Sequence, residues 1–191
     1  KVIRPAQIPF ISYPYEWCFS MLKDAALLTL RIQKIALEHN MSLKDASAFN
    51  IQFLEGRPVL IDTLSFERYD EGKPWVAYKQ FVEHFLAPLY VMSMNDIRLS
   101  RMTSVFLDGI PVDIASHILP LRSKLNLSLL LHIHAHASSQ KKFSNKKLGA
   151  LLEEKKFSRQ ALLGMLDNLE KAVKSASWNP KGTQWEDYYE E

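Results

Sequence analysis

Glycine is scarce and scattered in this 191-residue chain: the six stand at 56, 72, 109, 149, 164 and 182. A dinucleotide fingerprint or a P-loop needs clustered glycines, so neither can be built from this set. Cysteine is scarcer still. The single Cys18 excludes a disulfide framework and fits a reducing compartment, so the expected location is cytoplasmic. No apolar run approaches the roughly eighteen residues that a membrane span needs. Neither sign of charge dominates, since Lys+Arg 24 against Asp+Glu 21 leaves +3, and no nucleic-acid partner is expected on electrostatic grounds. The opening residues have no continuous apolar stretch and are broken by Pro5, Pro9 and Pro14, so Lys1–Pro14 does not read as a signal peptide. What is present is ordinary for a globular protein: 47% apolar, 24% charged and 11% aromatic residues. A start at Lys1 and an end at Tyr188-Tyr189-Glu190-Glu191 are what a piece of a longer protein would show.

Periodicity predicts a mostly helical chain with one short β-hairpin, an α+β domain over residues 1–176. Phe19, Leu22, Ala26 and Leu30 recur at helical spacing between about Trp17 and His39, with Asn40 as a stop. Ile51–Leu54 and Pro58–Ile61 are short β-like runs around Glu55-Gly56-Arg57, which reads as a hairpin with a three-residue loop. A long apolar helix is predicted from Trp75 to about Met94, kinked at Pro88. Shorter helices are predicted at Asp96–Leu107, Pro111–Leu119 and Asn126–Phe143, and a last amphipathic one from Ser158 to Ala176. Lys141–Arg159 carries seven basic residues against Glu153 and Glu154, so about 138–157 reads as a solvated, mobile loop. Residues 177–191 read as a linker.

The hairpin matters for its flanks. In a register pairing Leu54 with Pro58 and Ile51 with Ile61, Asn50 falls opposite Asp62, and Asp45 lies five residues before Asn50. One tight loop then gathers two carboxylates and an amide. Such hard oxygen donors suit Mg²⁺, which takes one or two carboxylates beside waters and phosphates. A carboxylate left free of metal can act as base towards a hydroxyl. The simpler alternative is that all three residues cap turns.

The spacing resembles the catalytic core of protein kinases and aminoglycoside-phosphotransferase-like enzymes, where Asp-x-x-x-x-Asn precedes a hairpin and a metal-binding Asp. By position the resemblance makes Asp45 the catalytic base and Asn50 and Asp62 the metal ligands. It also implies Mg²⁺ and ATP as cofactors and a kinase-like large lobe as the fold. Leu43 stands where that family usually has His, and Thr63-Leu64 where many members have Phe-Gly. Only 44 residues precede Asp45, too few for an ATP-covering small lobe.

Longer strings resemble a second family: Tyr13-Pro-Tyr-Glu-Trp-Cys-Phe-Ser20, Leu43-Lys-Asp-Ala-Ser-Ala-Phe-Asn-Ile-Gln-Phe53, Ile61-Asp-Thr-Leu-Ser-Phe-Glu67, Pro74-Trp-Val-Ala-Tyr78, Phe85-Leu-Ala-Pro88 and Asp108-Gly-Ile-Pro111. They are similar to the N-terminal, kinase-like regions of bacterial SAM-dependent methyltransferase-like proteins related to a nodulation protein. Trp178-Asn-Pro-Lys-Gly-Thr183 and Trp185-Glu-Asp-Tyr-Tyr189 resemble the joint before the methyltransferase domain. This resemblance implies SAM as a cofactor of the parent protein, bound outside these residues, and that domain of the same polypeptide as the partner. A docking or substrate-presenting role without catalysis is the alternative it leaves open.

His132-Ile133-His134-Ala135-His136 invites a metal reading, yet on a helix only His132 and His136 share a face, and no acidic or thiol ligand is near in sequence. Packed polar positions are the expectation. Cys18 reads as a buried thiol, and Tyr13, Tyr15, Trp17 and Phe19 as core aromatics.

Overall fold

A computed structural model describes residue 5 and residues 7–138 and 158–178 of the chain. The predicted basic loop and all but the first residues of the 177–191 tail lie outside that set. The described part is mostly helical and carries two small two-stranded sheets.

Helix α1 (Phe19–Glu38) forms where the three- and four-residue apolar spacing predicts it, and Asn40, with φ 56, turns the chain out of it. Its inner face buries Leu22, Ala25, Ala26, Leu30 and Leu37. That face packs on the last helix, here α7 (Arg159–Ser175), which opens with the Ser158 hydroxyl accepting from Ala161 N–H. The end of α7 is held by Lys23, whose Nζ donates to the carbonyls of Lys174 and Ala176, each at 2.8 Å.

Four short strands follow α1. Strands β1 (Met41–Leu43) and β4 (Phe66–Arg68) pair antiparallel, and β2 (Ile51–Leu54) and β3 (Arg57–Leu60) form the hairpin. The expected single hairpin is therefore joined by a second ladder. The register also differs by one residue, with Ile51 facing Leu60 and Leu54 facing Arg57. The cause is the turn: Glu55 and Gly56 both take positive φ (51° and 74°), the signature of a two-residue type I′ turn. Asn50 consequently lies level with Ile61, and Asp62 falls two residues past the paired region.

The long apolar helix is rewound just before Pro88. α2 (Tyr78–Phe81) passes into a π-helical turn, Val82–Leu86, and then into α3 (Ala87–Met94). Proline has no N–H to give back to the ladder. The Glu83 carbonyl, five residues before Pro88, instead accepts from Ile110 N–H at 2.9 Å. Gly109 makes that approach feasible: its φ is +94°, and a Cβ there would lie 2.7 Å from the Glu83 carbonyl carbon.

The Asp96–Leu107 stretch is a 3₁₀ turn followed by α4 (Met102–Val105), and α5 spans Val112–Ile118. The histidine-rich stretch begins as α6 (Leu127–Leu129) and continues as a second π-helical turn, Leu130–Ala135. Phe81, Phe85, Leu86, Leu89, Ile133, Leu162 and Leu166 form the centre of one core shared by these helices. Among the described residues no helix is long and apolar enough to cross a membrane.

Candidate functional site

The loop that carries Asp45 is pinned from several elements at once. Gln33 of α1, fully buried, accepts from Leu43 N–H at 2.7 Å and donates to Ser42 Oγ at 3.0 Å. Trp75 Nε1 donates to the Leu43 carbonyl at 2.7 Å, and Gln80 of α2 accepts from Ala46 N–H at 2.7 Å. Asp45 itself, half-buried, accepts from Ser47 N–H at 2.9 Å, and Ser47 Oγ in turn accepts from Phe49 N–H. Side chains from α1 and α2 thus fix the backbone on both sides of Asp45.

Ser65 is the hub of the site. It is 1% exposed. Its carbonyl accepts from Lys44 N–H at 2.8 Å, which brings the residue before Asp45 against it. Its hydroxyl accepts from Asn50 Nδ2 at 3.1 Å and donates to Asp62 Oδ2 at 2.7 Å. Asp62 Oδ1 accepts from Leu64 N–H at 2.8 Å, and the Asn50 carbonyl accepts from Ile61 N–H at 2.9 Å. Asn50 and Asp62 are thus joined through one hydroxyl rather than by facing each other across the ladder. Asp45 belongs to the adjoining turn. The Ser65 hydroxyl and the Leu64 N–H hold the Asp62 carboxyl below the usual carboxylate range, with a smaller pull from Lys44.

Sequence reasoning missed Gln33, Ser65, Trp75 and Gln80, because each makes a contact 10 to 34 positions away. It also missed His84, which sits on the first π-helical turn and packs edge-on to the Phe49 ring with centroids 6.4 Å apart. Burial pushes its imidazole down to about 4, against the opposing influence of the Asp45 and Asp108 carboxylates.

The donor set fits a hard cation in part. Asn50 engages its amide through Nδ2, which leaves Oδ1, and each Asp62 oxygen retains a lone pair beyond its one hydrogen bond. One carboxylate and one amide suit Mg²⁺ completed by water and phosphate rather than an all-protein cage. Among the described residues no group of three or more His, Cys, Asp or Glu side chains is placed to hold a metal.

The histidines have other work. His132 Nε2 lies 2.9 Å from Asn168 Oδ1 and Nδ1 lies 2.7 Å from the Tyr78 hydroxyl. His134 is held between Ser116 and Ser123, each at 2.8 Å. Two further expectations are corrected. Cys18 is exposed at the start of α1, where hydrogen bonds from Ser20 and Met21 outweigh burial and lower its thiol pKa. Trp17 and Phe19 are buried, but Tyr13 and Tyr15 stack on each other at 5.4 Å and stay exposed.

No family model matches the chain. No solved structure matches it either. It is similar to the nodulation protein NoeA of Rhizobium meliloti (strain 1021), with 38% identity over 140 residues. Those residues are 73% of this chain and 29% of that protein, so the chain spans less than a third of the relative's length. The likeness relates the chain to a nodulation protein and says nothing of a kinase-like region or a methyltransferase.

Proposed function

We propose that this chain is the kinase-like N-terminal region of a larger SAM-dependent methyltransferase-like protein, and that its own site binds Mg²⁺ with a phosphate-bearing ligand. On this reading Asn50 and Asp62 hold the cation and Asp45 orients the ligand's hydroxyl as base. The supporting observation is the hub at Ser65, which draws the loop, the hairpin and Asp62 to one point in the order Asp-x-x-x-x-Asn, hairpin, Asp. When bound, Mg²⁺ would supply charge neutralisation for phosphate oxygens. The SAM chemistry belongs to the parent protein outside these residues. Calorimetric titration of Mg²⁺ with ATP into the chain is the test: saturable binding is expected, with a loss of at least tenfold in Asp62→Ala. Binding that is absent, or unchanged in that variant, removes the cation site.

A second reading, a non-catalytic docking module, draws on a different observation. The opening segment and the hairpin enclose an apolar groove of about 460 Å³ in which Ile11 and Ile61 are exposed. The occupant on this reading is the rest of the same polypeptide. Ile11→Glu should then weaken capture of that remainder supplied as a separate chain, and leave Mg²⁺ titration untouched.

A further inference from the structure

A second cavity, of about 630 Å³, lies on the far side of Trp75, between α7, the start of α2 and the second π-helical turn. Its walls are apolar: Trp75, Leu131 and Met165 line it. Its floor is a line of three neutral polar groups, Tyr78, His132 and Asn168. Asn168 Oδ1 can only accept, so His132 Nε2 carries the proton and its bare Nδ1 accepts from the Tyr78 hydroxyl. That order leaves the Asn168 Nδ2 hydrogens as the donors the floor offers to a guest.

Gly164 is the second observation. It stands inside α7, where glycine is less favourable than alanine by about 1 kcal/mol. A Cβ at this position would meet nothing within 4 Å, and the residue lines the cavity. The chain's own packing therefore does not require glycine here, and the space beside α7 is open to an occupant.

We propose that this cavity binds a planar, uncharged aromatic compound bearing a carbonyl, its ring between Trp75 and Met165 and its carbonyl oxygen accepting from Asn168 Nδ2. Thioether and aromatic walls favour an aromatic guest. Among the described residues lining the cavity none is charged at neutral pH. Burial pushes the Tyr78 hydroxyl up to about 12 and the His132 imidazole down. An ion would lose its hydration there without a counter-charge.

Titration of benzamide, benzoate and benzylammonium into the ¹⁵N-labelled chain tests this. Benzamide should give saturable shifts at the Trp75 indole, the Gly164 amide and the Asn168 side-chain amide, with the two ions at least tenfold weaker. Gly164→Leu should place a side chain at the edge of the cavity and weaken benzamide binding at least tenfold while keeping the helical circular dichroism. Asn168→Leu should weaken benzamide binding about tenfold, and it stands as the decisive variant if Gly164→Leu does not fold. Absence of saturable shifts, an equal response to benzoate, or unchanged binding in the variant that folds overturns the proposal.

Discussion

The two polar centres of this molecule are built on opposite principles. Around Ser65 a carboxylate is kept charged at a half-exposed position, by a hydroxyl and a backbone N–H that favour its ionised form. In the helical body the histidines at 84, 132, 134 and 136 are kept neutral by burial. The first centre retains lone pairs directed at what lies outside it. The second turns the hydrogen bonds of His132 inwards, joining α2, the second π-helical turn and α7, and leaves only the neutral Asn168 Nδ2 hydrogens to an outside group. Hydrogen bonding alone thus does not mark a binding site; which protonation state the surroundings favour, and which atoms are left over, distinguish the two.

The contrast can be broken most severely at the suture of the helical body. Gly109→Ala meets both a positive φ and the Glu83 backbone at 2.7 Å. It should cost about 4 kcal/mol, read as a loss of thermal stability, with the hairpin's own turn unaffected. A cost below about 1 kcal/mol would mean that the Ile110–Glu83 joint gives way freely.

Acid should act next, and on the two centres in different windows. His84 falls from an ordinary 6.5 to about 4 on folding, so its neutral form is favoured in the native state. Stability from this burial is complete above 6.5 and is lost as pH falls towards 4, an effect of about 3 kcal/mol. His132, His134 and His136 shift in the same direction and add to it. Asp62 is also lowered, from 3.8, so its contribution persists until the pH is below that value. Urea unfolding at pH 7 and pH 4.5 should therefore show a large loss that His84→Gln reduces and Asp62→Asn does not.

The smallest effect is expected at Ser65→Ala. The backbone bond from Lys44 remains, so the cost is the two hydroxyl hydrogen bonds, one of them to a carboxylate, about 2 kcal/mol. The Asp62 carboxyl should then titrate at higher pH, as followed by NMR. An unmoved Asp62 would show that Ser65 does not set its charge state.

Much of this was legible in the sequence, for identifiable reasons. Helix α1 and its stop at Asn40 follow from apolar spacing, and α7 from its Ser158 cap and amphipathic face. The hairpin was legible but not its register, because Glu55 adopting a left-handed φ is a choice no composition rule reveals. Strands β1 and β4 are three residues each and pair across the whole hairpin, too short to alternate visibly. The π-helical turns also stayed hidden, since Pro88 announces a disturbance without saying whether the helix bends or rewinds. At the site the residue types at 45, 50 and 62 were readable, whereas the hub that joins two of them depends on a serine with no signature of its own.

The two-residue turn at Glu55-Gly56 also bears on the order in which the site assembles. A hairpin of this kind closes within microseconds, well before distant segments meet. The contact between Lys44 and Ser65 otherwise requires closing the whole intervening loop. With the hairpin already zipped, the free chain to be ordered is about half as long, which lowers the closure cost by about 0.6 kcal/mol. The turn therefore shortens the chain that must be ordered before Lys44 and Ser65 meet.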